Sequence, residues 1–146
     1  MGLFDSISKR TSETPLDSKE AFAAILLALI AADGAITNEE CDDFIARVSR
    51  MHLYEGMDTK ALLDIVRKLH NIANLEGSKA LAQLGAKSLP PKLRETAYCN
   101  ALDMAFSDKK LHGKEKALIK KLAEWLSIDP AQATRIEEII QIKNKG

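Results

Sequence analysis

The sequence predicts an all-α, single-domain helical bundle of six to seven helices, built from two pseudo-twofold-related helical hairpins. Three observations lead to this prediction. Apolar residues recur at helical spacing, and no alternating run is long enough to suggest a strand. Residues that cap helices precede several of the periodic stretches. A helix–loop–helix pattern around residues 33–40 returns around residues 108–115, 75 residues later.

The composition excludes several functional classes. With 146 residues the chain is long enough for one domain with a core. Its formal net charge is zero, so no global field attracts nucleic acid. The longest apolar run, 21–32, has 12 residues, whereas spanning a bilayer takes about 20. Its two cysteines form no disulfide framework. We therefore expect a cytoplasmic protein that neither binds nucleic acid nor inserts into a membrane.

The first half of the chain begins with an N-terminal segment, residues 1–16, which is either a short helix or a linker. The helical domain spans 17–146. Its first helix begins near Asp17 or Ser18 and is apolar all round, which predicts a central, fully buried helix. Gly34 can adopt the left-handed conformation that ends it.

The next three helices follow from capping residues and apolar stripes. Thr37 and Glu40 form the sequence pattern of a capping box, which opens the second helix. Asp58 caps a third helix. A fourth covers 78–88, and Gly85 within it lowers its helix propensity.

Pro90-Pro91 marks a boundary, after which a fifth helix covers roughly 92–106. A sixth helix carries the apolar residues from Leu118 to Leu126, and Asp129-Pro130 opens a last one.

The two repeats lie at about 18–53 and 93–128. An offset of 75 residues aligns positions that carry the same type of side chain, aliphatic or acidic. These pairs are Leu27 with Leu102, Asp33 with Asp108, Ile36 with Leu111 and Glu40 with Glu115.

The repeated acids are the candidate site. Two like hairpins that pack about a pseudo-twofold axis would bring Asp33, Glu40, Asp108 and Glu115 towards one point. Four carboxylates at close range repel one another unless a cation neutralises them. We therefore expect a divalent metal site, and oxygen ligands alone do not choose between Ca²⁺, Mg²⁺, Mn²⁺ and Zn²⁺.

Three alternatives remain open at this stage. Glu40 completes a capping box, so the acids could be caps of a metal-free helical scaffold. Clustered carboxylates also hold metals in hydrolases, although no general base stands out in the sequence. The first loop partly matches an EF-hand, but Leu29 and Ala31 stand where that loop needs oxygen ligands. No histidine or cysteine has the spacing of a metal-binding motif.

With these motifs in view, the chain resembles the TerB (tellurite resistance protein B) family over roughly Ala21 to Ile128. The residues that carry the resemblance are Ala32-Asp33-Gly34-Ala35-Ile36 with Glu40, and Ser107-Asp108 with Leu111 and Glu115; the opening Met1-Gly2-Leu3-Phe4-Asp5 is also similar.

The resemblance implies a cytoplasmic bacterial domain with no catalytic activity. It also implies an acidic divalent-metal site shared by both repeats, at Asp33, Glu40, Asp108 and Glu115. It further implies a role in stress and tellurite-resistance systems, with protein partners that include membrane-associated ones. Lys109 departs from the family pattern, which often has glycine there.

Overall fold

A computed structural model describes residues 16–107 and 113–146. These residues contain seven α-helices and no strand, so the predicted all-α bundle is confirmed. The helices are α1 (Ser18–Ala31), α2 (Asn38–Val48), α3 (Thr59–Glu76), α4 (Ser78–Ser88), α5 (Arg94–Ser107), α6 (Gly113–Trp125) and α7 (Pro130–Lys143). Two 3₁₀ turns, His52–Tyr54 and Pro91–Leu93, precede α3 and α5. Apart from Leu16, the predicted N-terminal segment lies outside the described residues, and the proposed domain division stays a prediction.

Helix α1 lies at the centre of the bundle, as its apolar sequence predicts. Every residue from Ala21 to Leu29 is at most 2% exposed. The helix contacts α3, α4, α5 and α6. Each fully buried leucine, isoleucine or phenylalanine contributes roughly 1.5–3 kcal/mol relative to an exposed side chain. The other helices are therefore positioned largely by their contacts with α1.

The predicted caps are confirmed by hydrogen bonds. The Asp17 carboxylate accepts from the Glu20 N–H at 2.8 Å, and the Glu20 carboxylate accepts from the Asp17 N–H at 3.1 Å. Asp58 caps α3 by accepting from the Ala61 N–H at 2.8 Å. Asp129 caps α7, with Pro130 as its first residue. Local sequence therefore determines where these helices begin.

Gly85 has a packing role that its low helix propensity does not suggest. Helix α4 lies so close to α1 that a Cβ atom at Gly85 would be 2.8 Å from the Ala21 carbonyl oxygen. It would also lie 3.1 Å from both Ala24 Cβ and Ile25 Cγ1. The missing side chain lets the two helices approach, and their contact is the most extensive between any two described helices.

The two repeats are similar at their first helices and differ at their second. Leu27 in α1 and its counterpart Leu102 in α5 are both buried, and α1 contacts α5. Helix α6 packs against α1, α4 and α5, whereas α2 packs against α3 and faces α5 across an open cleft. Within the described ranges, no helix has the length and apolar character needed to cross a bilayer.

Candidate functional site

The first repeated loop connects α1 to α2 through residues 32–37. Asp33 is exposed in the turn that follows α1. Gly34 has a φ of +141°, a value that L side chains rarely adopt, and its N–H donates to the Ala31 carbonyl at 3.1 Å. Ile36 packs against the core and fixes the far side of the loop. Gly34 and the half-buried Ile36 thus hold a turn that carries Asp33 at the surface.

Glu40 has a structural role in the first turn of α2. Its Oε1 atom accepts a hydrogen bond from the Thr37 N–H at 3.0 Å, and the Thr37 hydroxyl accepts from the Glu40 N–H at 3.1 Å. The predicted capping box is therefore confirmed. Both residues also line the cleft between α2 and α5. The cap uses the Oε1 atom of Glu40, and Oε2 takes no part in it.

The second repeated loop falls mostly outside the described residues. Asp108 belongs to the segment 108–112, which the structure does not describe, and Glu115 lies in α6 without a described side chain. Their role as ligands together with Asp33 and Glu40 therefore stays a prediction. Ser107, the residue before Asp108, lines the same cleft as Glu40. The chain thus enters the second loop from the wall of this cleft.

The first loop differs from an EF-hand in its backbone as well as in its ligands. Helix α1 continues to Ala31, so the residues at EF-hand positions 1 and 3 are helical. Leu29, at the first of these positions, is buried. An EF-hand needs loop backbone and oxygen donors at both positions. Within the described ranges, no three His, Cys, Asp or Glu side chains are grouped as a metal site.

Sequence reasoning missed Asp103, which joins three helices. Its carboxylate in α5 accepts from Arg47 Nη1 of α2 at 3.0 Å. It also accepts from Lys143 Nζ of α7 and from Asn144 Nδ2, each at 2.9 Å. Partial burial opposes its ionisation, but the hydrogen bonds from Asn144, Lys143 and Arg47 outweigh this and lower the pKa of Asp103 to about 2.

One sequence signal could have indicated Asp103. The repeat offset of 75 pairs Asp103 with Ala28, which is fully buried in α1. An acid at the position of a buried alanine must find partners or remain in water. Its partners lie 40 to 56 residues away in sequence, which explains why local patterns did not identify them.

The cleft between α2 and α5 has a volume of about 990 Å³. Ile30, Phe44 and Met104 are its large apolar residues. Its charged residues are of both signs: Glu39, Glu40, Asp43 and Asp103 are acidic, and Arg47, Arg50 and Lys143 are basic. Such a surface can hold a cation at its acidic part or a peptide along its length.

Both cysteine thiols are partly buried, and their surroundings favour the protonated form. Burial, and then the nearby Asp42 carboxylate, raise the pKa of Cys41 above its usual value. Burial, and then Glu95, do the same for Cys99. Because the thiolate is the nucleophile and the metal ligand, a raised pKa keeps both thiols in the less reactive form.

Comparison with known proteins gives one family. The family model described as tellurite resistance protein TerB matches residues 19–138, which is most of the chain. The comparisons with curated proteins and with solved structures found no match. The matched range begins in α1 and ends in α7, so it includes both repeated loops and every residue that lines the cleft except Lys143. The chain therefore belongs to the tellurite resistance protein TerB family.

Proposed function

We propose that this protein is a non-catalytic module of tellurite-resistance and stress systems that binds a divalent cation and a protein partner. The cation is held by the repeated acids Asp33, Glu40, Asp108 and Glu115. Carboxylate oxygens suit hard cations such as Ca²⁺ and Mg²⁺, and the charge of the ion offsets the mutual repulsion of the acids. Membrane-associated proteins are among the expected partners.

One observation carries the metal proposal. Glu40 and Ser107 line the same cleft, and Ser107 directly precedes Asp108. The start of the second repeated loop is therefore next to the cleft that contains Glu40, an acid of the first repeat. This proximity is what a site with ligands from both loops requires. Glu40 can serve as cap and ligand together, because its Oε1 accepts from the Thr37 N–H and its Oε2 is not used in that cap.

Calorimetric titration of chelator-treated protein with Ca²⁺, Mg²⁺, Mn²⁺ and Zn²⁺ tests the proposal. We expect uptake of one ion per chain and a higher melting temperature with the ion, because a ligand of the folded state stabilises it. Glu40→Gln keeps a capping-box residue but removes the charge. It should weaken binding at least about tenfold. Asp108→Asn should have a similar effect, since it removes a ligand of the other loop.

Glu20→Gln is the matched control. Glu20 occupies the same capping-box position in α1 that Glu40 occupies in α2. Its carboxylate also pairs with Lys68 at 2.6 Å, and it does not line the cleft. The control should bind metal as the wild type does. Absence of uptake for every tested ion, or equal losses in both glutamine variants, would contradict the proposal.

A metal-free helical scaffold is the second candidate, and the complete capping box at Glu40 favours it. In that case Glu40 acts only through its cap. Removing that cap with Glu40→Ala would cost about 1 kcal/mol, and chelator would leave the stability unchanged. Thermal unfolding with and without chelator therefore separates the two candidates.

A further inference from the structure

Helix α7 carries a pair of isoleucines on its outer face. Among the described residues, three large apolar side chains are mostly exposed, and two of them lie in α7: Ile139, which is 63% exposed, and Ile142, which is 69% exposed. The third, Leu75, belongs to α3. Residues three apart are neighbours on the surface of a helix. The two isoleucines therefore form one apolar patch, which is called the isoleucine patch below.

Contacts with α5 hold this patch away from the core. Ile136 and Ile140 are buried on the inner side of α7, which packs against α5. At the end of the helix, Lys143 Nζ donates to the Asp103 carboxylate of α5 at 2.9 Å. Near its start, Gln132 is also hydrogen-bonded to a side chain of α5. Because α7 is fixed at both ends, a partner that docks on the isoleucine patch has no helix to order, which favours binding.

Two exposed charges of opposite sign flank the isoleucine patch. Glu138 directly precedes Ile139, and Lys145 follows Ile142 by three residues. The two charged residues are seven positions apart, which is about two helical turns, so they lie on the same flank of the patch. Neither forms an ion pair with any residue that the structure describes. An occupant whose charges run in the opposite order would pair with both.

We propose that this occupant is a second copy of the chain, whose α7 packs antiparallel to the first about a twofold axis. When Ile139 of each copy faces Ile142 of the other, Glu138 of each lies near Lys145 of the other. The antiparallel direction produces this match because it reverses the order of the charges, and a parallel copy offers no such pairing. The formal net charge of the chain is zero, so the two copies do not repel each other at long range.

The geometry of α7 sets the strength of the dimer. Arg135 lies on the same face, one turn before Ile139, and in this register the two Arg135 residues are about 16 Å apart, which is beyond the screening length at physiological salt. The helix has 14 residues, so one face of it buries less than the roughly 800 Å² per partner of a standard interface. We therefore expect a weak dimer, with a Kd on the order of 10–100 µM.

Sedimentation equilibrium of the full-length protein between about 5 and 500 µM measures this Kd. The buffer contains chelator, and none of the four proposed metal ligands lies on the outer face of α7, so failure here and failure of the metal site are separate results. Ile139→Ser/Ile142→Ser should weaken the dimer at least about tenfold, because both apolar side chains are lost from its centre. Leu75→Ser removes an exposed apolar residue of α3 and is the control that should leave the Kd unchanged.

A charge exchange tests the antiparallel register. At low salt, Glu138→Lys should weaken the dimer at least about threefold, because each new lysine faces Lys145 of the other copy. Adding Lys145→Glu to the same chain should restore the wild-type Kd. Glu76→Lys changes the net charge equally at an exposed position of α3 and should have no effect.

Three results would overturn the proposal. The first is a monomer at every concentration, and the second is a double charge variant that dimerises as weakly as Glu138→Lys alone. The third is a monomer whose α7 amide signals shift when phosphatidylglycerol vesicles are added, because the isoleucine patch would then face a lipid surface instead of a second copy.

Discussion

Replacing Gly85 by alanine tests how closely α4 lies against α1. The added Cβ atom would be 2.8 Å from the carbonyl oxygen of Ala21, and 3.1 Å from Ala24 Cβ and Ile25 Cγ1. Real Cβ contacts are essentially never as short as the first of these distances. The nearest atom belongs to the backbone of α1, and α1 is buried on all sides, so it cannot move aside without disturbing other contacts.

Two opposing effects set the size of the change. Alanine gains about 1 kcal/mol over glycine in helix propensity. Overpacking a core typically costs about 1–3 kcal/mol, and the upper part of this range applies where backbone must shift. We therefore expect a net loss of about 2 kcal/mol, which for a chain of this size lowers the melting temperature by about 4–8 °C.

Thermal and urea unfolding followed by circular dichroism measure this loss. Gln83→Ala is the matched control, because Gln83 lies on the exposed side of the same helix. The control should change the free energy of unfolding by less than about 0.5 kcal/mol. A Gly85→Ala protein as stable as the wild type, or more stable, would refute the close approach of the two helices.

Three further predictions follow from particular contacts. Asp103→Asn should lower the free energy of unfolding by about 1–2 kcal/mol at pH 7. The folded-state pKa of Asp103 is lowered from 3.8 to about 2, so an acid unfolding series should show this difference in full above about pH 5 and lose it as the pH falls through about 2. Ser127 has a φ of +56°, so Ser127→Gly should raise the melting temperature in calorimetry by about 2–4 °C, and a decrease would contradict strain there. The Tyr54 hydroxyl donates to the Lys19 carbonyl at 2.7 Å, so Tyr54→Phe should cost about 1 kcal/mol in urea unfolding, and an unchanged midpoint would count against that bond.

The elements of the fold could be predicted because their signals are local. Apolar periodicity identifies the buried α1, and residues three apart define its capping box with Asp17 and Glu20. The contacts between elements depend on residues far apart in sequence. Gly85 suggested only a weaker helix, although its role is to let α4 approach α1. The hydrogen bonds that hold Asp103 come from α2 and from the end of α7, and no short motif records them.

Part of the candidate site could be predicted because its sequence signals are local as well. The capping-box pattern identified Thr37 and Glu40, and the hydrogen bonds between them confirm it. The cleft that Glu40 lines arises because α2 faces α5 across an open space, while α6 packs closely on α1. The repeated sequence predicts similar hairpins. The different packing of α2 and α6 depends on side chains that the repeats do not share. Asp103 at the position of Ala28 is one such difference.

The shared metal site is tested most directly by anomalous diffraction from crystals grown with Mn²⁺, and in parallel with Ca²⁺. We predict one anomalous peak per chain, within about 2.0–2.6 Å of carboxylate oxygens. The ligands should include Glu40 from the first repeat and Asp108 or Glu115 from the second. A peak coordinated by acids of one repeat alone, or no peak near either loop at saturating metal, would contradict a site built from both repeats.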